Sequence, residues 1–266
     1  MNDTTKKRVP ILVSQLLLGL IVLLVWELAA DTGRLNTFFY SSPSLIAREL
    51  LSLVLTGELW RHLATTFIEA ALAFSIGSLL GIVCGFVLAR SPLMASIFEP
   101  YLRIGNALPR VVFAPIFFLW FDIGIPSKVA LGVTVVFFIV FFNTFRGLRE
   151  VDVVMIDNAR ILGASERQLI RHVLIPSALT WIFSSLHVSI GLAIISVVVG
   201  EWLGAYYGIG HMIARYRQNF EAAGMFAGVT VLALVVLAVG SVVDRVERRL
   251  MRWKPERSGS GMKELG

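Results

Sequence analysis

Long apolar runs separated by short charged stretches organise this chain. The first runs from Val9 to Ala30, directly after Lys6, Lys7 and Arg8, and its only charge is Glu27 near the far end. Pro10 falls in its first turn, where a helix has no use for the missing amide. The run is long enough to cross about 30 Å of hydrocarbon and predicts a spanning helix. A cleaved signal peptide would share the basic start, but the length of the run and the acids at its far end, Glu27 and Asp31, favour retention. From Arg34 to Arg61 the pattern is mixed, and Ser41-Ser42-Pro43-Ser44 opens a short amphipathic stretch through Leu50 that reads as an interfacial or soluble helix.

Five further apolar runs follow. Thr65 to Ala89 carries Gly77, Gly81 and Gly85 at every fourth position, a bare stripe on which a neighbouring helix can close in. Ile104 to Phe121 is interrupted by Pro109, Arg110 and Pro115 and predicts a kinked span. Val129 to Phe145 follows Pro126 and Lys128 and has one amide, Asn143, near its end. Val173 to Gly200, with Pro176 and His187 but no acid, Lys or Arg, exceeds the bilayer, so one end must project or tilt. Ala222 to Val243 contains Gly224 and Gly228, a second close-packing pair. The expected organisation is an all-α integral membrane protein of about six spans, at 9–30, 65–89, 104–121, 129–145, 176–200 and 222–243. A basic segment 1–8 precedes them, a polar loop 146–175 lies between the fourth and fifth, and a polar tail 251–266 closes the chain.

Composition agrees with this pattern. Of 266 residues, 56% are hydrophobic and 16% charged, against about a quarter charged in soluble domains. The net charge of +6 could suggest nucleic acid, but the basic residues lie between apolar runs and not along one soluble face. With a cytoplasmic amino terminus, eighteen Lys and Arg fall inside and six outside. That bias places both termini and loop 146–175 in the cytoplasm. A single cysteine, Cys84, excludes an internal disulfide or thiolate metal site.

The cytoplasmic loop is the most informative segment. Apolar residues from Val151 to Leu162 fit a short amphipathic helix, which Gly163 breaks. Ser165 with Gln168 three residues on is a capping box for a second short helix through about Leu174, and Pro176 opens the next span. A helix, a glycine turn and a second helix standing clear of the membrane form an object that another protein can grip.

Asp157-Asn158-Ala159-Arg160-Ile161-Leu162-Gly163-Ala164-Ser165, with Pro176 thirteen residues after the glycine, resembles the EAA loop of binding-protein-dependent ABC importer permeases. It departs from that pattern where Asp157 and Asn158 replace Glu-Ala and where Val173-Leu174-Ile175 precedes the proline. The segment from Trp120 to Lys128 and Gly208-Ile209-Gly210-His211-Met212-Ile213 look like the nitrate, sulfonate and taurine branch. The resemblance implies a type I importer permease in the bacterial inner membrane. It implies three kinds of partner: a cytoplasmic ATPase, a periplasmic or lipid-anchored solute-binding protein, and a second permease copy forming a homodimer. Asp157, Asn158, Ala159, Gly163, Ala164 and Pro176 would then form the ATPase-coupling loop, and the solute would be a small organic anion or, alternatively, a pyrimidine or other vitamin precursor. No Gly-x-x-x-x-Gly-Lys-Ser/Thr loop occurs in the chain, so the resemblance leaves ATP and magnesium to the partner and implies no cofactor and no catalysis here. A stand-alone secondary carrier or channel is the competing class; it would show matched broken helices in two halves, and only one half has them.

Several polar residues in the runs are candidates for a solute path. Ser185, Ser189 and Ser196 fall within about 40° of one another on a helix, and His187 points away from them. The stripe suits a pathway or backbone bonding equally. Glu201 precedes Trp202 and suits either an interfacial belt or a gate. Asn106 and Asn143 are amides of the same kind. Glu27 and Glu69 are expected to snorkel from span ends. No His, Asp or Glu constellation has metal-ligand spacing.

Overall fold

The computed structural model of the chain describes residues 3–250; the tail 251–266 and residues 1–2 lie outside the described residues. Among the described residues the regular structure is helical throughout. The helices are α1 Asp3–Asp31, α2 Thr37–Tyr40, α3 Pro43–Leu55, α4 Glu58–Arg90, α5 Pro92–Ala107, α6 Ala114–Phe121, α7 Ile125–Arg149, α8 Val153–Ile161, α9 Glu166–Leu169, α10 Ile175–Leu203, α11 Ile209–Gln218 and α12 Ala222–Leu250.

Among the described residues five helical segments are long and apolar enough to cross a membrane, and the pair Pro92–Ala107 and Arg110–Phe121, bent by 92°, makes a sixth if taken as one broken span. This break is larger than the kink expected at 104–121, and the helix before it starts earlier, at Pro92. Pro109 follows Leu108, whose extended ψ of 136° is the conformation a residue before proline prefers. Pro115 interrupts nothing, because it lies in the first turn of α6. The second span also starts earlier than expected. Its helix begins at Glu58, since Glu58, Arg61 and His62 continue the helical spacing that an apolar run cannot reveal.

The chain forms two compact units. The first is drawn from residues up to Leu72, Arg110–Leu131 and Ile195–Leu234, and the second from Ala73–Pro109, Gly132–Ile194 and the chain from Val235. Lipid tails are as apolar as leucine, so association of spans depends on close packing. In the second unit α4 and α7 achieve it: a Cβ on Gly77 would lie 2.7 Å from Val136 Cβ, and one on Gly81 or Gly85 2.9 Å from the carbonyl oxygen of Phe137 or Phe141. Phe137, Phe141 and Phe145 stack along α7 at 5.7 and 5.8 Å, and Phe141 and Phe145 pack with Ala95 into a core. In the first unit Gly228 serves α11 instead of a span, because a Cβ there would meet Ile213 Cγ1 at 2.6 Å. Glu27 does not snorkel freely: its carboxylate accepts from Ser44 N at 2.9 Å and Ser44 Oγ at 2.6 Å, in the first turn of α3.

Candidate functional site: an exposed turn and a buried polar clasp

The loop of the second unit is built by local capping. Asp152 Oδ1 accepts from Val154 N at 2.8 Å and starts α8. At the other end Gly163 takes φ +83°, Gly163 N donates to Arg160 O at 2.9 Å and Ala164 N to Ala159 O at 3.0 Å. That is a Schellman closure, in which a left-handed residue lets two amides fold back onto the last carbonyls. Ala159, Gly163 and Ala164 are therefore the parts of one turn, and Asp157 and Asn158 lie exposed on the helix before it. Ser165 and Gln168 form the expected capping box.

The second short helix does not stop before Pro176. Four residues of α-helix pass into a π-turn at Ile170–Leu174, where Ile175 N bonds Ile170 O, and the chain continues into α10. Pro176 has no amide to donate and its ring crowds the carbonyl four residues back, so the preceding turn widens. α9 and α10 are thus one continuous rod. Glu166 ties its start to Arg90 at 3.6 Å and Arg160 at 3.4 Å, exposed pairs of small individual strength.

No residue of α8 is buried. Val153, Val154, Met155 and Ile161 stand open to the surroundings, Ile161 82% exposed, and so does the C-cap residue Leu162, 87% exposed. A short helix with no fully buried residue gains little from tertiary packing, and exposed apolar side chains grouped on a short segment mark an interaction surface.

The candidate pathway residues divide. Ser185 Oγ donates to Ile182 O and Ser189 Oγ to Ser185 O, both at 2.7 Å, so these two hydroxyls are satisfied within α10; Ser196, half-buried, follows two turns on. His187 Nε2 lies 3.5 Å from Asp244 of α12. Asn106 and Asn143 share the wall of one cavity in the second unit.

Glu201 lies in the first unit at the centre of a polar cluster. It is 1% exposed; Thr66 Oγ1 donates to its Oε1 and Gly210 N to its Oε2, both at 2.7 Å. Ile209 N donates to Thr66 Oγ1 at 2.9 Å and Gly208 N to His62 Nδ1 at 3.0 Å. Three successive amides at the start of α11 are thus held by side chains of α4 and α10. Only glycine fits: Gly208 has φ +117°, and a Cβ there would overlap the Glu201 carboxyl, while one on Gly210 would overlap Val198 O. Glu69, 2% exposed, lies against Glu201. Glu69 therefore does not snorkel, because α4 starts at Glu58 and leaves it about three turns inside. Lys128, wholly buried, donates to Ile123 O at 2.5 Å and Gly124 O at 3.1 Å and is within electrostatic reach of both acids. Sequence patterning missed His62, Thr66, Glu69 and Lys128 as one site; the available signal was the polar spacing 58, 62, 66, 69 along one helical face. At the rim, Arg215 pairs with Glu58 at 2.5 Å and Tyr216 donates to Glu49 Oε1 at 2.8 Å. Burial and the Glu49 contact push the Tyr216 phenol up to about 12. Among the described residues no group of three His, Cys, Asp or Glu is placed to hold a metal.

Comparison with known proteins gives a consistent answer. Residues 77–253 match the family described as binding-protein-dependent transport system inner membrane component. A putative aliphatic sulfonates transport permease of Bacillus subtilis is 32% identical over 92% of this chain and 88% of its own length. The taurine transport system permease of Escherichia coli is 27% identical over 89% and 88%. A formylaminopyrimidine transport permease of Halalkalibacterium halodurans is 30% identical over 88% and 93%. Among solved structures, an amino acid ABC transporter aligns with TM-score 0.61 at 17% identity over 75% of this chain and 98% of that one. An inward-facing MetNI methionine ABC transporter aligns with TM-score 0.59 at 20% identity over 75% and 97%. The helical arrangement is that of type I ABC importer permeases, and the chain belongs to the family of inner-membrane components of binding-protein-dependent transport systems, as a non-catalytic ABC transporter permease.

Proposed function

We propose that this chain forms a translocation pathway with a second copy of itself and that α8 is the segment through which a cytoplasmic ATPase moves it. The observation that carries this reading is α8 itself, a capped helix that buries none of its residues and presents Ile161 and Leu162 outward. The Lys and Arg asymmetry supports cytoplasmic termini, with the loop on the ATPase side and the solute receptor opposite. ATP and magnesium belong to the ATPase. Nucleotide binding there can shift this chain between conformations only by the difference in affinity the ATPase has for them. The continuous rod from Glu166 through Leu203 gives such a difference a direct route, since a push on the loop is a push on α10.

The solute class is a small organic anion of the aliphatic sulfonate or taurine kind, as in the sulfonate and taurine permeases this chain resembles. The test of coupling is Gly163→Pro. Proline cannot take φ +83° and removes the amide that closes the turn, whereas the spans are untouched. Membrane insertion should persist while ATP-driven sulfonate uptake by the reconstituted complex falls at least tenfold. Undiminished uptake by the variant would remove α8 from the coupling path, and uptake by the chain without an ATPase would overturn the permease assignment of the pathway.

A further inference from the structure

Within the second unit, α5 and α7 wall an open cavity of about 680 Å³, a size ordinary for small-molecule sites. Its lining has two characters. Asn106 from α5 and Asn143 from α7 supply amides, and Arg103, Arg146 and Arg149 supply guanidinium groups. Phe138 and Phe142, stacked at 6.4 Å and 22°, supply an apolar shelf beside them.

The charges do not cancel. Arg103 is paired with Glu99 at 2.5 Å, and Arg149 lies 5.0 Å from the Phe145 ring. Among the described residues neither Arg146 nor Arg149 is paired with a carboxylate. Glu150 is the one other acid on the wall, so three arginines face two glutamates. Arginines in the last turn of α7 would be expected for its dipole and for a cytoplasmic end. That expectation leaves Asn143 and the aromatic shelf unexplained. Asn143 spends one N–H on Ile139 O at 2.8 Å and keeps a second donor. Gly105 lets the shelf approach α5, because a Cβ there would lie 3.0 Å from Phe138 Cζ. Donors therefore outnumber acceptors on a wall that also carries an apolar strip.

We propose that this cavity is a solute vestibule for a small amphipathic anion, with a sulfonate or carboxylate head on Arg146 and Arg149, an amide donor from Asn143, and a short alkyl tail on Phe138 and Phe142. Guanidinium forks match such oxyanions in bidentate geometry. The proposal rests on the permease reading and adds to it where, within the chain, the anion is held and why a tail helps.

The test uses the permease–ATPase complex in nanodiscs without receptor or nucleotide, and measures equilibrium binding of methanesulfonate, butanesulfonate and butylammonium. Butanesulfonate should bind saturably and about tenfold more tightly than methanesulfonate, since three methylenes reach the shelf. Butylammonium should not compete. Arg146→Gln should weaken butanesulfonate at least tenfold, Phe142→Ala should shrink the gap between the two sulfonates, and Arg48→Gln, an exposed arginine of α3, should change neither. No saturable binding, equal affinity in Arg146→Gln, indifference to chain length, or competition by butylammonium would each overturn the vestibule. The same preparation must assemble and hydrolyse ATP. A complex that does so without binding anion overturns the vestibule alone, and a chain that fails to assemble with an ATPase overturns the permease reading.

Discussion

Two polar regions of this chain meet their surroundings on opposite terms. In the first unit, Glu69, Lys128 and Glu201 are buried; Lys128 and Glu201 are bonded to backbone, and Glu69 lies against Glu201. In the second unit, α8 has no fully buried residue, and apart from the exposed Arg160–Glu166 pair its bonds close its own ends. Buried ionisable groups are costly unless each is matched, so the first arrangement tolerates little change. An exposed helix capped at both ends tolerates change within the chain and answers to a partner instead. The contrast separates a part that holds shape from a part that, under the proposed coupling role, transmits force.

The largest effect expected from breaking this contrast is at Gly208. Gly208→Val would combine a left-handed backbone unsuited to a branched side chain with overlap of the Glu201 carboxyl. A loss of about 3 kcal/mol or more is expected. Size-exclusion in detergent should show little monodisperse protein, and normal yield and melting would show that the start of α11 is not held as described. Glu201→Gln is milder. It keeps the shape but offers one acceptor where two donors, Thr66 Oγ1 and Gly210 N, arrive. Thermal unfolding should register about 2 kcal/mol, and Thr66→Val in the same chain should add less than it costs alone.

Much of the second region was legible in sequence because its signals are local. Gly163, the Ser165–Gln168 capping box and the spacing of Gly77, Gly81 and Gly85 each act within one or two turns, or along one helix face. The clasp was not legible for the opposite reason. Glu201, His62 and Thr66 meet Gly208 to Gly210 across more than a hundred residues of chain for two of the three, and apolarity alone started α4 at Thr65, which left Glu69 looking like an end residue. The broken span was half legible: Pro109 marked the place, but the 92° angle depends on how α5 and α6 each pack.

Leu162→Asp tests the force-transmitting side. The residue is 87% exposed, so the melting temperature of the isolated permease should stay within error, surface substitutions costing about 0.5 kcal/mol or less. Assembly with the ATPase should weaken about tenfold, close to 1.4 kcal/mol, because an apolar contact is replaced by a charge that must be desolvated. A fall in permease stability without a change in assembly would reverse the assignment of the two regions.

The smallest effect expected is one of pH on α11. His211, on the exposed side of the clasp with its ring 6.0 Å from that of His62, is held below its ordinary value by burial and by the Arg215 guanidinium. Folding therefore favours its neutral form. The contribution is fully present above about pH 6.5 and is lost as the pH falls through the depressed value, since the unfolded chain takes up the proton first. Melting of the purified permease should drop by about 2 °C or less between pH 7.5 and 5.5 on this account. His211→Asn should flatten that part of the profile. A profile unchanged by the substitution would mean that His211 does not carry the acid sensitivity of the clasp.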